Sequence, residues 1–284
     1  MKNIHLAFKA YDVHELLCHA IAESAGLYQD AGLSVTLLDT TFVPDEALPE
    51  NTFHAACGAA LASFLKGEKR KVVFVACDKP MFWLYGRQGV ENLEQLTQAR
   101  VATFPDDAPP AHFLRKFLFD AGIAPGLLPS RDDTARLALL TSGSVDAALL
   151  SSLYLPHEVE SRGPQRLAFM GDSLRLPSTG LAVSSELDDE QPELVAQMVK
   201  IYQEAMKYVH DDDQVLCAVL RDAFGMPVDA LAESMELVRD CYNPFGYSYD
   251  SLLQSAVDNM SAGMGLAPRS PGDLYEFKYI KSHH

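Results

Sequence analysis

The sequence predicts an α/β fold made of two lobes, each a mostly parallel sheet flanked by helices. From residue 1 to residue 87, strand-like and helix-like segments follow one another in the order β-α-β-α-β, and a second alternating block begins near residue 93. This order predicts parallel strands joined by right-handed crossovers. The 284 residues, of which 48% are hydrophobic, are enough to bury the cores of two such lobes.

The first block alternates short runs rich in Val, Leu and Phe, which are typical of strands, with longer segments of helical periodicity. The predicted strands are residues 4–8, 34–38, 53–57 and 71–77. The predicted helices are residues 15–28 and 58–65. Gly26 and Gly32 mark the end of the first helix.

The second block begins after the interruption Asp78-Lys79-Pro80, where an extended run at 81–87 predicts the first crossing between lobes. The predicted helices that follow are residues 93–98, 110–121 and 135–142. The predicted strands are residues 100–104, 167–170 and 180–184, and residues 143–149 lead into a further strand. Helices at 192–210, 215–224, 227–241 and 252–262 are then expected, the first three packing on the first lobe. The aromatic run at 242–250 favours a surface turn over a flap.

Composition excludes two classes of partner. The formal net charge is -16, and such a surface repels phosphate backbones and anionic membranes, so no nucleic-acid partner is expected. No stretch approaches the roughly 20 apolar residues that span a bilayer, so membrane insertion is not expected. GxGxxG and P-loop patterns are absent, and we expect no cofactor and no metal.

The five cysteines bear on location. Their number is odd and no CxxC pair occurs, which favours free thiols in a reducing compartment. No signal peptide is visible at the start, which favours the cytoplasm. The alternative is a periplasmic protein whose leader is missing from this sequence.

Four stretches of the chain resemble one family. They are AIAESAGLYQDAGLSVTLLD, CGAALASFLKGEKRKVVFVA, LALLTSGSVDAALLSS and TGLAVSSELDDEQPELVAQMVKIYQEAMKYV, which together span most of residues 4–225. In order and spacing, the chain resembles type II periplasmic-binding-protein-like proteins, the group of alkanesulfonate-, nitrate- and taurine-binding proteins and thiamine-pyrimidine synthases. Each motif alone is weak, and none specifies a ligand.

The resemblance implies a two-lobed type II periplasmic-binding-protein-like fold with a ligand cleft between the lobes. The expected lobes are residues 1–80 with 186–284, and residues 81–185, with crossing segments near 78–84 and 173–185. The expected partner is a small-molecule ligand, and a transporter permease if the protein is exported. The oligomeric state is left open.

Ligands of open parallel sheets bind beyond the carboxyl ends of the strands, and this rule selects candidate ligand-binding residues. Stacking surface is expected from Tyr11, Phe82 and Trp83, and hydrogen bonds from Gly58, Thr103, Ser151 and Thr179. The complete candidate set is Tyr11, Asp12, His14, Cys57, Gly58, Phe82, Trp83, Thr103, Phe104, Ser151 and Thr179.

Departures from the family pattern argue against one of the activities found in the family. The aromatic residue that many transport members carry near the end of strand one is matched here by Ala10, with Tyr11 beside it. The thiamine-pyrimidine synthases carry a CCCFC run, a lysine and a histidine. This chain has no such run, and the matched positions are Ala55 and Ala59. That activity is therefore not expected here.

Cys57 is the sharpest candidate for covalent chemistry. It precedes Gly58 at a predicted helix N-terminus, where the helix dipole would stabilise a thiolate, and His14 or His54 would be its base. The alternative is a small residue packed among alanines, or a turn that leaves backbone N–H groups for a ligand.

Two functions follow from these observations. The first is a small-molecule (solute) binding protein of the sulfonate/nitrate/pyrimidine-binding type that does no covalent chemistry. The second is a cytoplasmic lyase, decarboxylase or desulfinase-like enzyme on the same scaffold, with Cys57 and His14 as catalytic residues.

Overall fold

The computed structural model describes residues 1–41, 43, 47–130 and 132–280, which form two compact units. The first unit comprises Met1–Asp78, Leu176–Asp258 and the described chain from Ala267. The second comprises Lys79–Arg175 and Asn259–Leu266. Relative to the expected lobes, the return to the first unit comes about ten residues earlier, and a short C-terminal segment belongs to the second unit. The described residues contain no helix that is long and apolar enough to cross a membrane.

The sheet of the first unit has five strands in the order β2-β1-β3-β10-β4. They are β1 (Lys2–Phe8), β2 (Leu33–Asp39), β3 (Thr52–His54), β4 (Arg70–Cys77) and β10 (Thr179–Ser184). β1 pairs in parallel with β2 and β3, whereas β10 pairs antiparallel with β3 and β4. β10, a strand from later in the chain, therefore separates β3 from β4.

Seven helices of the described chain lie wholly in the first unit. They are α1 (Val13–Ser24), α2 (Leu27–Asp30), α3 (Cys57–Leu65), α8 (Ser185–Glu190), α9 (Pro192–Asp211), α10 (Asp213–Asp222) and α11 (Leu231–Cys241). The predicted helix 15–28 is divided into α1 and α2. The predicted strand 53–57 ends at His54, and Cys57 is already the first residue of α3.

The sheet of the second unit has the order β7-β6-β8-β5-β9. Its strands are β5 (Phe82–Gly86), β6 (Arg100–Thr103), β7 (Gly126–Pro129), β8 (Ala147–Ser151) and β9 (Gln165–Phe169). β6 pairs in parallel with β7 and β8, and β5 pairs antiparallel with β8 and β9. The sequence did not predict β7, whose four residues are largely exposed and carry little hydrophobic signal.

The helices of the second unit are α4 (Pro109–Asp120), α5 (Asp133–Thr141), α6 (Pro156–Glu160) and α7 (Met170–Ser173), and α12 (Asp250–Met264) begins in the first unit. The segment predicted as a helix at 93–98 is a single 3-10 turn, Leu93–Leu96. The core packs Phe82 and Leu84 of β5 against Val101, Leu114 and Leu149.

Each sheet thus has four strands that run one way and one that runs against them. The reversed strand β5 is the first strand after the chain enters the second unit, and β10 is the first strand after it returns to the first unit. β10 packs so closely on β4 at Gly180 that a Cβ atom there would lie 2.0 Å from the Phe74 carbonyl oxygen. Only glycine fits this position without moving the backbone.

The outer edge of β4 is covered by two segments from the C-terminal part of the chain. The amide of Asn243 donates to the carbonyl of Ala76, and the amide of Val75 donates to the carbonyl of Gly246. Further along the strand, the amide of Glu276 donates to the carbonyl of Val72, and the amide of Val72 donates to the carbonyl of Leu274. These segments satisfy backbone groups that an uncovered edge strand would expose.

Candidate functional site

In the first unit, the predicted site residues gather at one edge of the sheet. β1, β3 and β4 end at this edge, and the reversed strand β10 begins there, since Thr179 lies opposite Cys77. The turns after β1 and β3 and the segment before β10 therefore bring together Tyr11, Asp12 and His14, then Cys57 and Gly58, then Thr179.

His14 is a buried connection between α1 and the start of β10. Its Nε2 atom lies 2.9 Å from the hydroxyl of Ser178, and that hydroxyl donates to the carbonyl of Cys77 over 2.8 Å. Because the serine hydrogen is used on Cys77, Nε2 is the donor to Ser178. Burial lowers the pKa of His14 to about 3, so the ring is neutral at neutral pH.

Asp12 and Glu15 form an acidic pair at the start of α1. Asp12 is the N-cap, accepting a bond from the Glu15 amide, and Glu15 accepts a 2.7 Å bond from the amide of Lys9. Burial and the neighbouring Asp12 raise the pKa of Glu15 to about 8. A carboxyl group that holds its proton near neutral pH is thus built into this edge of the sheet.

Cys57 is not a poised nucleophile. Its side chain is fully buried, and its Sγ lies 3.7 Å from the carbonyl oxygen of Phe74. Burial raises the pKa of the thiol, and the nearby Glu15 adds to the effect. The expected thiolate is therefore disfavoured, because removal from water outweighs the helix dipole.

Neither histidine is arranged as a base for this thiol. The Nε2 of His14 contacts the Ser178 hydroxyl, and the Nε2 of His54 lies 2.9 Å from the Nη1 of Arg70. The same guanidinium forms an ion pair with Glu68.

Gly58, Thr179 and Tyr11 differ in what they offer a ligand. The Gly58 amide, expected to bind a ligand, donates instead to the Ser178 carbonyl over 3.0 Å. The Thr179 hydroxyl is buried and has no hydrogen-bond partner among the described residues. Tyr11 is 53% exposed, and its ring contacts Phe8 and Phe224.

The second unit has an equivalent edge, where β6 and β8 end and β5 begins. Phe82 lies opposite Ser151 there, and its ring packs edge-on against Phe104 with centroids 5.5 Å apart. The Thr103 hydroxyl is fully buried without a partner in the part of the chain that the structure describes. Ser151 is engaged, because Asp133 accepts bonds from both its amide and its hydroxyl.

Arg136 is the buried cation of this edge. It donates to the carbonyls of Leu149 and Ser130, and its guanidinium lies 3.6 Å from the centroid of Phe104. Its Nη2 is 2.9 Å from the Asp133 carboxylate but lacks hydrogen-bond alignment, so this contact is an ion pair. Burial lowers the pKa of Arg136, and Asp133 opposes that shift.

Trp83 does not supply the expected stacking surface. It is fully buried in the middle of β5, where it stacks on Phe169 with ring centroids 5.0 Å apart. Alternation along the strand places Phe82 and Trp83 on opposite faces. Phe169 lies opposite Trp83 on the neighbouring strand β9, whose position in the sheet the sequence did not predict.

Three residues at these edges were not among the predicted set: Glu15, Asp133 and Arg136. For Glu15 a signal existed, because Asp12 and Glu15 have the spacing of a capping box. For Asp133 and Arg136 the signal was the spacing of an ion pair one helical turn apart. No three His, Cys, Asp or Glu side chains in the described ranges converge as a metal site.

No family model matches the chain, and no curated protein matches it. Solved structures do. The alkanesulfonate-binding protein SsuA from Xanthomonas axonopodis pv. citri, bound to MOPS, is 13% identical with a TM-score of 0.78, covering 97% of this chain and 99% of its own.

Two further structures widen the comparison. The Candida albicans CA3427 gene product, described as having the generic periplasmic binding protein fold, is 11% identical with a TM-score of 0.75, covering 100% of this chain and 99% of its own. The desulfurization enzyme DSZB is 14% identical with a TM-score of 0.73 and covers 97% of both chains. At these identities the likeness concerns the fold, as the resemblance in the sequence implied. The chain therefore has the fold of the periplasmic binding proteins.

Proposed function

We propose that the chain is a small-molecule (solute) binding protein that performs no covalent chemistry. The observation that carries this proposal is the state of Cys57. The candidate nucleophile is buried, and its raised pKa keeps it protonated. The same strand edges hold the hydroxyls of Thr103 and Thr179, which have no partner among the described residues. Groups of that kind suit reversible hydrogen bonding to a ligand.

Within the sulfonate, nitrate and pyrimidine types, local charge favours a neutral pyrimidine-like ligand. Asp12 lies at the strand edge of the first unit beside the protonated Glu15, and an anion there would be repelled by the Asp12 carboxylate. In the second unit, the positive charge of Arg136 is compensated by Asp133. A neutral heteroaromatic ring that exchanges hydrogen bonds avoids both conflicts.

The ligand-binding residues that we retain are Tyr11 and Thr179 in the first unit, and Thr103 and Phe104 in the second. Tyr11 and Phe104 offer ring surface, and the two threonines offer hydroxyls. Asp12, His14, Cys57, Gly58, Trp83 and Ser151 are assigned to structural contacts, and Phe82 to the core of the second unit.

Calorimetry with pyrimidines, alkanesulfonates and nitrate tests the proposal. We expect a pyrimidine to bind, and Thr179→Val and Thr103→Val each to weaken binding by about five- to tenfold through loss of one hydrogen bond. Thr97→Val, at an exposed position, is the matched control and should bind as the wild type does. Absence of binding across all three ligand classes would count against the proposal.

A second candidate, the lyase, decarboxylase or desulfinase-like enzyme, is favoured by the likeness to DSZB. It requires Cys57 to become accessible and ionised. Turnover of an aromatic sulfinate that disappears in Cys57→Ser would establish it and overturn the first proposal.

The cellular location of the protein depends on which of the two functions it has. The cytoplasmic location expected from the cysteines is not supported by the comparisons, because two of the similar structures are described as periplasmic sulfonate-binding proteins. If the chain is exported, its partner would be a transporter permease. A fusion to an enzyme that is active only outside the cytoplasm, made with the native upstream codons, would decide the location.

A further inference from the structure

A pocket of about 390 Å³ lies at the C-terminal end of the first unit, formed by a different part of the chain from the strand edges described above. Its lining residues are Tyr247, Ser248, Tyr249, Asp250, Phe277 and Ile280. The volume falls in the range of small-ligand pockets, roughly 300–1,000 Å³. Every lining residue belongs to the first unit.

The pocket arises from the way in which the edge of β4 is covered. Gly246 accepts a backbone hydrogen bond from Val75, and Glu276 donates one to Val72. Because Val72 and Val75 are three residues apart on β4, the two covering segments continue side by side. A side chain at residue 246 would collide with the Phe74 ring, at 2.3 Å from the Cβ position, and glycine lets the segment pass over it. Beyond that point Tyr247 and Phe277 face each other as neighbouring walls, with ring centroids 6.4 Å apart.

Three features of the walls agree on one kind of ligand. The Tyr247, Tyr249 and Phe277 rings present negative π faces, and Tyr249 is 73% exposed. Asp250 adds a carboxylate at the first residue of α12, where the helix dipole favours a negative charge. The hydroxyl of Ser248 is buried and has no hydrogen-bond partner among the described residues, so it is available to a polar group of a ligand.

Lys278 is the one cation among the described residues of the adjoining segment 276–280, and its contacts are with residues that do not line the pocket. The Lys278 ammonium lies 2.9 Å from the Asp188 carboxylate and 4.9 Å from the Tyr279 ring. Asp250 therefore faces the pocket without this lysine as a counter-ion. We propose that the pocket binds a small organic cation, an alkylated ammonium group held on the aromatic rings beside Asp250, with a hydroxyl arm that reaches Ser248.

Choline and dimethylbutanol, in which a carbon replaces the ammonium nitrogen, form the matched probe pair for the full chain. We expect calorimetry to show that choline binds at least about fivefold more tightly than dimethylbutanol, because only choline carries the charge that the rings and Asp250 attract. Equal affinities, no binding of choline at millimolar concentration, or stronger binding of the anion dimethylbutyrate would overturn the proposal.

Substitutions test whether choline binds in this pocket. Asp250→Asn and Tyr247→Leu should each weaken choline binding by about fivefold or more, whereas Asp258→Asn, which removes a charge from an exposed position of the same helix, should leave it unchanged. Circular dichroism verifies that each variant is folded. Choline binding that survives Asp250→Asn and Tyr247→Leu unchanged, or that is abolished by Thr179→Val at the other site, would refute this pocket without deciding the proposed function.

Discussion

The imidazole of His14 and the hydroxyl of Ser178, 164 positions apart in the chain, meet at 2.9 Å. The first residue belongs to the beginning of α1 and the second to the approach to β10. The contact therefore fixes the turn after β1 to the strand that divides the sheet of the first unit. The same histidine was a candidate base, and its position in this bond gives it a structural role instead.

His14 should make the stability of the protein sensitive to acid. Its folded pKa of about 3 lies below the ordinary value of 6.5, so the unfolded chain takes up a proton that the folded chain refuses. The free energy of unfolding should fall by about 2–4 kcal/mol as pH drops from 6.5 towards 3. His14→Gln keeps a donor but does not titrate, and denaturant unfolding should give it a flatter pH dependence. Identical slopes for the two proteins would contradict the assignment.

Glu15 should make the protein less stable as the pH rises. Its folded pKa of about 8 lies above the ordinary 4.5, so its contribution is complete below pH 4.5 and is lost as pH rises to 8. Glu15→Gln should therefore stabilise the protein by about 1 kcal/mol at pH 8, the half-buried position reducing the full effect. Glu23→Gln, on an exposed position of α1, is the control. A destabilised Glu15→Gln protein at pH 8 would contradict the prediction.

The thiols should differ in their reaction with an alkylating agent. Cys217 is the only one of the five cysteines that is not buried, and Cys57 is fully buried with a raised pKa. Peptide mass spectrometry after a short treatment at neutral pH should find Cys217 labelled first and Cys57 labelled only after unfolding. Labelling of Cys57 ahead of Cys217 in the folded protein would restore the thiol-enzyme hypothesis.

Asp133 and Arg136 should be strongly coupled. Asp133→Asn leaves the buried guanidinium without its charge partner, and we expect a loss of about 3–5 kcal/mol of unfolding free energy. Combining Asp133→Asn with Arg136→Met removes both charges and should recover most of that loss. Denaturant titration of the single and double variants measures the coupling. Additive effects would show that the pair is not an energetic unit.

The sequence predicted the local elements and the α/β class because periodicity and turn residues are local signals. It did not predict that β10 separates β3 from β4, since strand order depends on contacts between distant segments. The stacking of Trp83 on Phe169 was not predicted for the same reason, because no residue near Trp83 in the sequence indicates that contact.

At the candidate site, the sequence predicted which residues lie at the strand ends better than it predicted their chemistry. The rule about strand ends located Thr103 and Thr179, whose hydroxyls are unpartnered among the described residues. Burial decided the chemistry of the others, and burial cannot be derived from one sequence. Cys57 has the position of an activated thiol, and only the surrounding side chains show that it is withdrawn from water.

The reversed strand β10 has a consequence for how the protein is made. While the ribosome is still synthesising residues 79–175, β3 and β4 have no strand between them, and β4 also lacks the tail segments that cover its other side. The N-terminal unit therefore cannot complete its sheet until Ser184 has left the ribosome. During that interval the nascent chain presents unpaired, apolar strand edges, so its yield should depend on chaperones more than on the stability of the finished fold.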